Sequence, residues 1–569
     1  MSESMLIRGG TVVDGTGAAP VTADVLVEDG RIAQVGRIDA PGARIVDADG
    51  LLVTPGWIDT HTHYDGQVYW DPLMTPSSWH GSTTAVMGNC GVGFAPARPD
   101  QHDYLMELMQ SIEDIPVATL RAGVPWGWES FGEYLDCLDH TPRAIDMGVL
   151  VPHGVVRTYL MGERGEKGEA SAEEIEAMCQ LIGEAIDAGA LGCSANRTLL
   201  KDGFVPGSFA RDEELLAISK VVGQRDGSFQ TNPASFYGPQ EWAPYDKEVD
   251  LIRRMSMAGD MRVTFPLIED HQEPGRWRWI MGEIEKANAA GAKLFPQILA
   301  RPLNAIMTLA GRQPFDRLPV FGQVVAGGGS TARIAALLRQ PEVRESILGP
   351  AREALAASAW FFDTMYQMTD PLDYEPETDK SIGARAKREG ISSMDLFYDL
   401  MTAGEGDAMF LAVVANYAEG NADTVMEMIR HPDTVTGLGD GGAHQLGLCD
   451  VTTPTTVMTQ WVRDRTRGPK LPVEEAVRAL SSSPARAFGL ADRGVLAPGK
   501  RADINLIDMT TLRMGLPEFI HDLPAGGRRM VQRATGYVAT FVAGELVLAN
   551  GEDMGARPGR TIRRNRAGA

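Results

Sequence analysis

The chain has 569 residues, of which 44% are hydrophobic and 23% are charged, a composition typical of soluble globular proteins. This length exceeds that of one ordinary domain, so we expect one large domain with an accessory domain. The net charge of −23 argues against nucleic acid and against anionic membrane surfaces as partners, because both require a basic surface.

The sequence carries no signal for export or membrane insertion. It contains no run of about eighteen apolar residues, and residues 1–4 lack the basic and apolar regions of a signal peptide. Its 5 cysteines form an odd, scattered set, which is typical of reduced thiols. We therefore predict a cytoplasmic protein without a membrane partner, and we expect it to form a homo-oligomer.

Short β-rich runs with turn signals occupy both ends of the chain. Near the start they alternate with Gly9-Gly10 and Asp29-Gly30, and a similar pattern returns at 503–507 and 537–547. This predicts a small β-sandwich made from both termini, with parts at 1–54 and 491–556, although two unrelated β tails stay possible. The segment 557–569 is predicted to be a tail, with its basic part Arg557–Arg566 disordered.

Between these ends, apolar strand candidates alternate with amphipathic helices. The strand candidates lie at 51–63, 83–87, 146–152, 189–194, 227–232, 262–267, 292–299 and 434–440. Strands that alternate with helices in this way predict an α/β fold of the TIM-like (β/α)8 type, with the barrel at 55–490. The long interval before the last strand predicts an insertion at 302–417, which we expect to cover the barrel mouth as a lid.

The first barrel strand ends in the strongest chemical signal, Thr54-Pro-Gly-Trp-Ile-Asp-Thr-His61-Thr-His63. Residues i and i+2 of a strand point to the same face, so the two histidines project together into the barrel. Two neutral imidazoles at this spacing can bind one divalent ion. The pair therefore predicts a metal site.

Four further motifs accompany the histidine pair along most of the chain. They are Gly88-Asn-Cys90-Gly-Val-Gly, Gly189-Ala-Leu-Gly-Cys-Ser194, Gly437-Leu-Gly-Asp440-Gly, and the run Ser483-Pro-Ala-Arg-Ala-Phe-Gly-Leu that continues to Asp503. With these motifs the chain resembles the amidohydrolase superfamily. The Gly-Asn-Cys-Gly sequence after the second strand resembles the N-acyl-D-amino-acid deacylase branch of that superfamily.

The resemblance implies a metal-bearing barrel and an enzyme that hydrolyses a carbon–nitrogen amide bond of a small molecule. It implies zinc held by His61, His63 and Asp440, with Cys90 as a thiolate ligand; the alternative for Cys90 is an inert packing residue. Asp440 would take a proton from the attacking water and return it to the leaving nitrogen, unless it only caps a helix.

The sequence departs from that branch at the second metal position. Histidines usually stand at the ends of strands five and six, where this chain has Asn232 and Leu267. We therefore predict one tightly bound zinc ion per chain, with a second ion bound weakly if at all. His153 and His444 are predicted to support the tetrahedral intermediate or to replace a ligand, and a structural role is the alternative for His153.

The residues that usually hold a substrate carboxylate also differ. A rough alignment gives Glu269 and Leu299 in place of lysine and tyrosine, and Arg301 is a candidate for this contact or for the lid surface. The pattern predicts an acyl amide with a bulky apolar group rather than a free D-amino acid. A cyclic amide, imide or lactone hydrolase, a lyase and a metal-free binding homologue stay open as alternatives.

Overall fold

The computed structural model describes residues 4–198, 204–234, 243–354 and 356–564. Its centre is a parallel sheet of eight strands that follow one another in chain order. We number these strands β1 to β8: Trp57–Asp59, Ser82–Met87, Asp146–Pro152, Gly192–Asn196, Ser228–Asn232, Arg262–Pro266, Lys293–Ile298 and Val435–Thr436. The predicted α/β barrel is confirmed.

The barrel closes between β1 and β8 through residues just beyond the ends of these strands. Thr62 forms a parallel bridge with Gly441. The backbone N–H of Asp440 donates to the His61 carbonyl at 3.0 Å, and the N–H of His63 donates to the Gly441 carbonyl at 2.8 Å. The seam of the barrel therefore runs through three of the predicted metal ligands.

The predicted strand 51–63 is wrong as a single element. Residues Leu52–Pro55 belong to the sheet at the termini, and β1 begins after Gly56. A Cβ atom on Gly56 would lie 2.1 Å from Thr83 Oγ1, so glycine allows the close approach that turns the chain from one sheet into the other.

Helices surround the barrel and connect its strands. Those between β2 and β7 are His102–Glu113, Val117–Gly123, Phe131–Asp139, His153–Met161, Ala172–Ala188, Asp212–Gly223, Tyr245–Gly259 and Arg276–Ala289. Asp423–Arg430 precedes β8, and Thr453–Thr456, a π-helical turn at Val457–Asp464, Val473–Leu480 and Ser482–Phe488 follow it. No helix in the described part of the chain has both the length and the apolar character needed to cross a membrane.

Strands from both ends of the chain form one nine-stranded sheet with its own apolar core. Its members are Met5–Val12, Val21–Glu28, Arg31–Gly36, Arg44–Asp47, Leu52–Pro55, Ile504–Ile507, Tyr537–Val542, Glu545–Ala549 and Glu552–Asp553. The strands Glu518–Leu523 and Gly527–Val531 leave this sheet and pair as a hairpin. Two short strands, Arg513–Met514 and Ala534–Thr535, also pair with each other.

A buried ion cluster joins the terminal sheet to the amino-terminal end of the barrel. Asp146, the first residue of β3, accepts hydrogen bonds from Arg493 at 2.7 Å and from Arg501 at 2.9 Å. Asp503 lies 3.2 Å from the Arg501 guanidinium. These residues end the last sequence motif, so the motif stabilises the face of the barrel opposite its mouth.

The predicted disorder of the basic tail is wrong as far as residue 564. The backbone of Ile562 donates to the Met147 carbonyl, and the guanidiniums of Arg563 and Arg564 pair with Asp136 and Asp226. The basic side chains are thus neutralised by acidic helix and loop residues of the barrel. Residues 565–569 lie outside the described residues.

The segment between β7 and residue 417 folds as a unit with its own core. Three strands, Leu303–Thr308, Met365–Gln367 and Met409–Ala415, form a small sheet, and the helices are Pro319–Ala326, Thr331–Leu338, Pro341–Ala354, Ile382–Glu389 and Ser393–Thr402. Phe362 is buried inside this core against Phe397 rather than against the barrel. The backbone of Ile306 donates to Gly447, so the insertion touches the loop that follows β8.

We predict that Asp146→Ala destabilises the fold by about 3–5 kcal/mol, because it removes the buried carboxylate that Arg493 and Arg501 share and leaves them only Asp492 and Asp503. Chemical denaturation followed by circular dichroism measures this change. The control is Asp103→Ala, which removes an exposed partner of Arg121 and should change stability by no more than about 1 kcal/mol. Equal, small effects of both substitutions would contradict the role given to Asp146.

Candidate metal centre

The four predicted ligands meet at the carboxyl end of the barrel. The ligand atoms of His61, His63 and Cys90 all lie within 4.8 Å of one another, and all three residues are buried. Asp440 Oδ1 lies 3.6 Å from His61 Nε2 and 3.8 Å from His63 Nε2. Donor atoms around a tetrahedral zinc ion are separated by roughly 3.3–3.8 Å, so these spacings suit one such ion.

Gln297, on β7, orients the imidazole of His61. Its Oε1 lies 3.0 Å from His61 Nδ1, and its Nε2 is 3.2 Å from Thr60 Oγ1, where it donates a hydrogen bond. An N–H at Nδ1 that donates to the Gln297 oxygen leaves the lone pair of Nε2 free toward the cluster. This arrangement supplies the tautomer that a metal ligand requires.

Cys90 is held in place by two side chains of β5. Its backbone N–H donates to Gln230 Oε1 at 2.8 Å, and Asn232 Nδ2 donates to its Sγ at 3.0 Å. The Sγ also lies 3.1 Å from His61 Nε2. Asn232, which stands where the branch usually has a histidine, therefore supports the sulfur of Cys90 with a hydrogen bond.

The backbone at the centre is strained at three functional positions. Cys90, Asp440 and His444 have φ angles of 58°, 47° and 48°, a region that side chains other than glycine rarely adopt. Such strain persists only where surrounding structure enforces it, and it clusters at functional sites. The two glycines after Asp440 allow the loop to turn back against His63 and Tyr64.

Glu113 enters the centre without any signal in the sequence motifs. It is the last residue of helix His102–Glu113 and is only 3% exposed. Its Oε2 lies 3.4 Å from His63 Nε2 and 3.6 Å from His444 Nε2. Its carbonyl accepts a hydrogen bond from the backbone of His444 at 2.7 Å, which ties the helix end to the loop after β8.

Burial controls the protonation of the centre. It lowers the pKa of His61 to about 4 and that of His63 well below its usual value, so both imidazoles are neutral at neutral pH. Burial also raises the pKa of Asp440 to about 6 and the pKa values of Cys90 and Glu113 well above their usual ranges. Neutral imidazoles beside buried acids form a donor set that fits a divalent ion.

The two histidines predicted to assist catalysis have different surroundings. His444 has a side chain that is 30% exposed and faces Glu113. The imidazole of His153 is buried, with Nε2 2.6 Å from Glu214 Oε1, and Arg157 contacts the same carboxylate at 2.6 Å. His153 thus belongs to a buried ion cluster, and a catalytic role for it stays a prediction.

The proposed carboxylate contact through Arg301 is not supported. Arg301 is fully buried, bonds to Asp450 at 2.7 Å and Thr452 at 2.8 Å, and stacks on Tyr374. Glu269 is likewise occupied, since it accepts hydrogen bonds from the backbone of Ala418 and from Thr424.

A small cavity of about 30 Å³ adjoins Asp440. Its walls include Cys449 and Asp450 from the loop after β8 and Arg529 and Met530 from the hairpin. The Arg529 guanidinium is bonded to Asp522 and Thr75. The cavity has room for water, and the carboxyl-terminal hairpin, which the sequence predicted only as part of a sandwich, forms one wall.

A parallel barrel with two histidines, a cysteine and an aspartate converging at its carboxyl end has the construction of a metal-dependent hydrolase. The amidohydrolase family model matches residues 44–310 and 353–548, and the chain belongs to this family. The predictions of the family, its deacylase branch and a hydrolase of carbon–nitrogen amide bonds are confirmed at this level.

One curated relative is the N-acyl-D-aspartate deacylase of Alcaligenes xylosoxydans xylosoxydans, which is 27% identical over 98% of this chain and 94% of its own length. Two solved structures share the fold with a TM-score of 0.65 and 23% identity, and both cover 98% of this chain and 99% of their own. They are a D-aminoacylase with a binuclear metal centre and the N-acyl-D-glutamate deacylase of Bordetella bronchiseptica with zinc and a phosphonate inhibitor.

We predict that His61→Ala removes the metal and the catalytic activity together, because it deletes the donor between Cys90 and Asp440. Metal analysis by mass spectrometry should find about one tightly bound ion per wild-type chain and almost none in the variant. The control is His80→Ala, a buried histidine bonded to Thr455 and Gln532, which should lose stability but keep the ion. Two tightly bound ions per wild-type chain, or full activity in His61→Ala, would contradict the assignment.

Proposed function

We propose that this protein is a zinc-dependent hydrolase of a carbon–nitrogen amide bond in a small N-acylated compound. The observation that carries the proposal is the convergence of His61, His63, Cys90 and Asp440 at the barrel mouth. A soft thiolate with two imidazoles favours zinc over magnesium or calcium, and the solved relative from Bordetella bronchiseptica contains zinc.

A zinc ion at this centre would polarise the scissile carbonyl and lower the pKa of the attacking water toward neutrality. His61, His63 and Cys90 are the side chains that would hold it, with Asp440 as the fourth donor. Gln297 and Asn232 fix the orientation of His61 and Cys90 through hydrogen bonds.

Asp440 is proposed as the general base and then the general acid. Its side chain keeps 22% of its surface exposed, so it can reach both a water and a substrate nitrogen. Its carboxylate takes the proton of the attacking water as the carbon–oxygen bond forms. The same oxygen returns the proton to the nitrogen as the carbon–nitrogen bond breaks.

His444 is proposed to stabilise the oxyanion of the tetrahedral intermediate. It is the partly exposed imidazole on the loop after β8, and Glu113 lies against its Nε2. His153 lies against Glu214 and Arg157, so we propose that it positions helix His153–Met161 rather than contacting substrate.

We propose a substrate without a free carboxylate next to the amide nitrogen, with a bulky apolar acyl group. The cationic side chains at the barrel mouth support this proposal, because Arg301 is neutralised by Asp450 and Arg529 by Asp522. Leu299 and Leu267 are both buried and carry no charge. An anionic substrate group would have to compete with Asp450 or Asp522 for its guanidinium.

We expect Asp440→Asn to retain the fold and most of the metal while hydrolysis falls by about 100- to 10,000-fold. The amide matches the carboxylate in shape but cannot accept the proton of the water. Steady-state kinetics with parallel metal analysis measures the effect. Asp433→Asn, outside the centre, is the control and should leave turnover unchanged; normal turnover in Asp440→Asn would remove it from the mechanism.

For the substrate, we predict a preference for neutral compounds in matched pairs. An N-acyl-D-amino acid and its carboxamide differ only in the charge beside the scissile amide. We expect kcat/KM to be about tenfold higher or more for the carboxamide, a difference of roughly 1.4 kcal/mol. A higher value for the free acid would show that the chain binds the carboxylate.

Two proposals concern the surroundings of the enzyme. All five cysteines are free in the structure, which supports a reducing compartment such as the cytoplasm. The homo-oligomeric state stays a prediction, and light scattering on the purified chain tests it.

A further inference from the structure

The carboxylate of Glu113 lies in surroundings that disfavour a negative charge. It is 3% exposed, and it stands at the carboxyl end of a 12-residue helix, where the helix dipole is negative. Among the described residues, the basic groups within 4 Å of it are the imidazoles of His63 and His444. Both imidazoles lie beside the same oxygen, and neither forms a hydrogen bond with it.

Glu113 Oε2 lies about as far from His63 as the neighbouring donor atoms of the metal centre lie from one another. His61 Nε2 lies 3.1 Å from Cys90 Sγ and 3.6 Å from Asp440 Oδ1. His63 Nε2 lies 3.8 Å from Asp440 Oδ1 and 3.4 Å from Glu113 Oε2. Adjacent ligands of one small ion are separated by about these distances. Glu113 therefore lies beside His63 Nε2, the imidazole nitrogen that also faces Asp440.

Among the described residues, no hydrogen bond to the Glu113 carboxylate explains its burial. Helix His102–Glu113 is tied to the loop after β8 through the backbone bond from His444 to the Glu113 carbonyl, which any residue could accept. The opposite imidazole nitrogen of His63, Nδ1, is buried without a hydrogen-bond partner among the described residues. The Nε2 side of His63 thus faces two carboxylates, Glu113 and Asp440, and a shared cation would stabilise both negative charges.

We propose that Glu113 is a direct ligand of the metal ion, an anionic donor that compensates for the histidines replaced by Asn232 and Leu267. This inference rests on the proposed metal centre and names one more of its ligands. His444 contacts the outer side of the Glu113 oxygen and positions it. A carboxylate donor strengthens binding of the single ion without creating a second complete set of ligands.

The test compares Glu113→Gln with Asp114→Asn. Glutamine keeps the size of the side chain but removes the charge. Asp114→Asn removes the same charge one residue further along the chain, where the carboxylate pairs with Arg312. Asp114 has a left-handed backbone conformation, which asparagine tolerates. Zinc affinity is measured by competition with a chelator, and the cobalt-substituted proteins are compared by visible absorption; neither measurement uses a substrate.

We expect Glu113→Gln to weaken zinc binding by more than about 100-fold, beyond the 10- to 100-fold effect of residues that only support a ligand. We also expect a changed cobalt spectrum, because the number or type of donors changes. Asp114→Asn should match the wild type in both. Unchanged affinity in Glu113→Gln, or weaker binding with an unchanged cobalt spectrum, would overturn the inference.

A second measurement, the change in melting temperature on adding zinc, tests the inference even if Glu113→Gln is less stable than the wild type. The rise in melting temperature on adding zinc should be smaller in Glu113→Gln than in the wild type, relative to each metal-free protein. Equal rises would also overturn the inference. Failure of the proposed function is separate: a wild type that binds zinc through Glu113 but hydrolyses no N-acyl amide contradicts only that function.

Discussion

The metal centre depends on the hydrogen bonds that close the barrel between β1 and β8. The backbone groups that form this seam belong to His61, His63, Asp440 and Gly441. Closure and assembly of the centre are therefore one event, since neither strand end can move without displacing a donor. The strained φ angle of Asp440 follows from the same constraint, because the chain must turn back immediately after the seam.

Two kinds of side chain surround the predicted ligands at this seam, amides and carboxylates. Strands β5 and β7 provide neutral hydrogen bonds through Gln230, Asn232 and Gln297, which fix the positions of Cys90 and His61. The helix after β2 and the loop after β8 bring carboxylates, Glu113 and Asp440, against His63. In this centre amide side chains orient the donor atoms, and two carboxylates bring negative charge beside them.

Much of this could be predicted from the sequence where the information is local. The histidine pair, Cys90 and Asp440 each follow a barrel strand, and the carboxyl ends of parallel strands converge, so their proximity follows from the fold. Glu113 escaped prediction because it ends a helix in a long connection and has no spacing relation to the predicted ligands. The pairing of Arg301 with Asp450 was also hidden, because the two residues are 149 positions apart.

Asn232 shows a different limit. Its identity indicated a missing ligand, but only the structure reveals that its amide donates to the sulfur that remains. Gly56 shows another, since a continuous apolar run concealed the change of sheet at a residue without a side chain. In both cases the decisive contact joins segments that are distant in the chain.

The last part of the chain to be synthesised completes contacts at both ends of the barrel. Met530 bonds to Gln445 on the loop after β8, and Arg493 and Arg501 neutralise Asp146 at the other end of the barrel. When all eight barrel strands have emerged from the ribosome, the nascent chain still lacks one wall of the cavity beside Asp440. It also lacks the two arginines that neutralise Asp146 at the opposite end of the barrel. The loop after β8 and the opposite end of the barrel therefore reach their final packing only after the carboxyl-terminal segment has been synthesised.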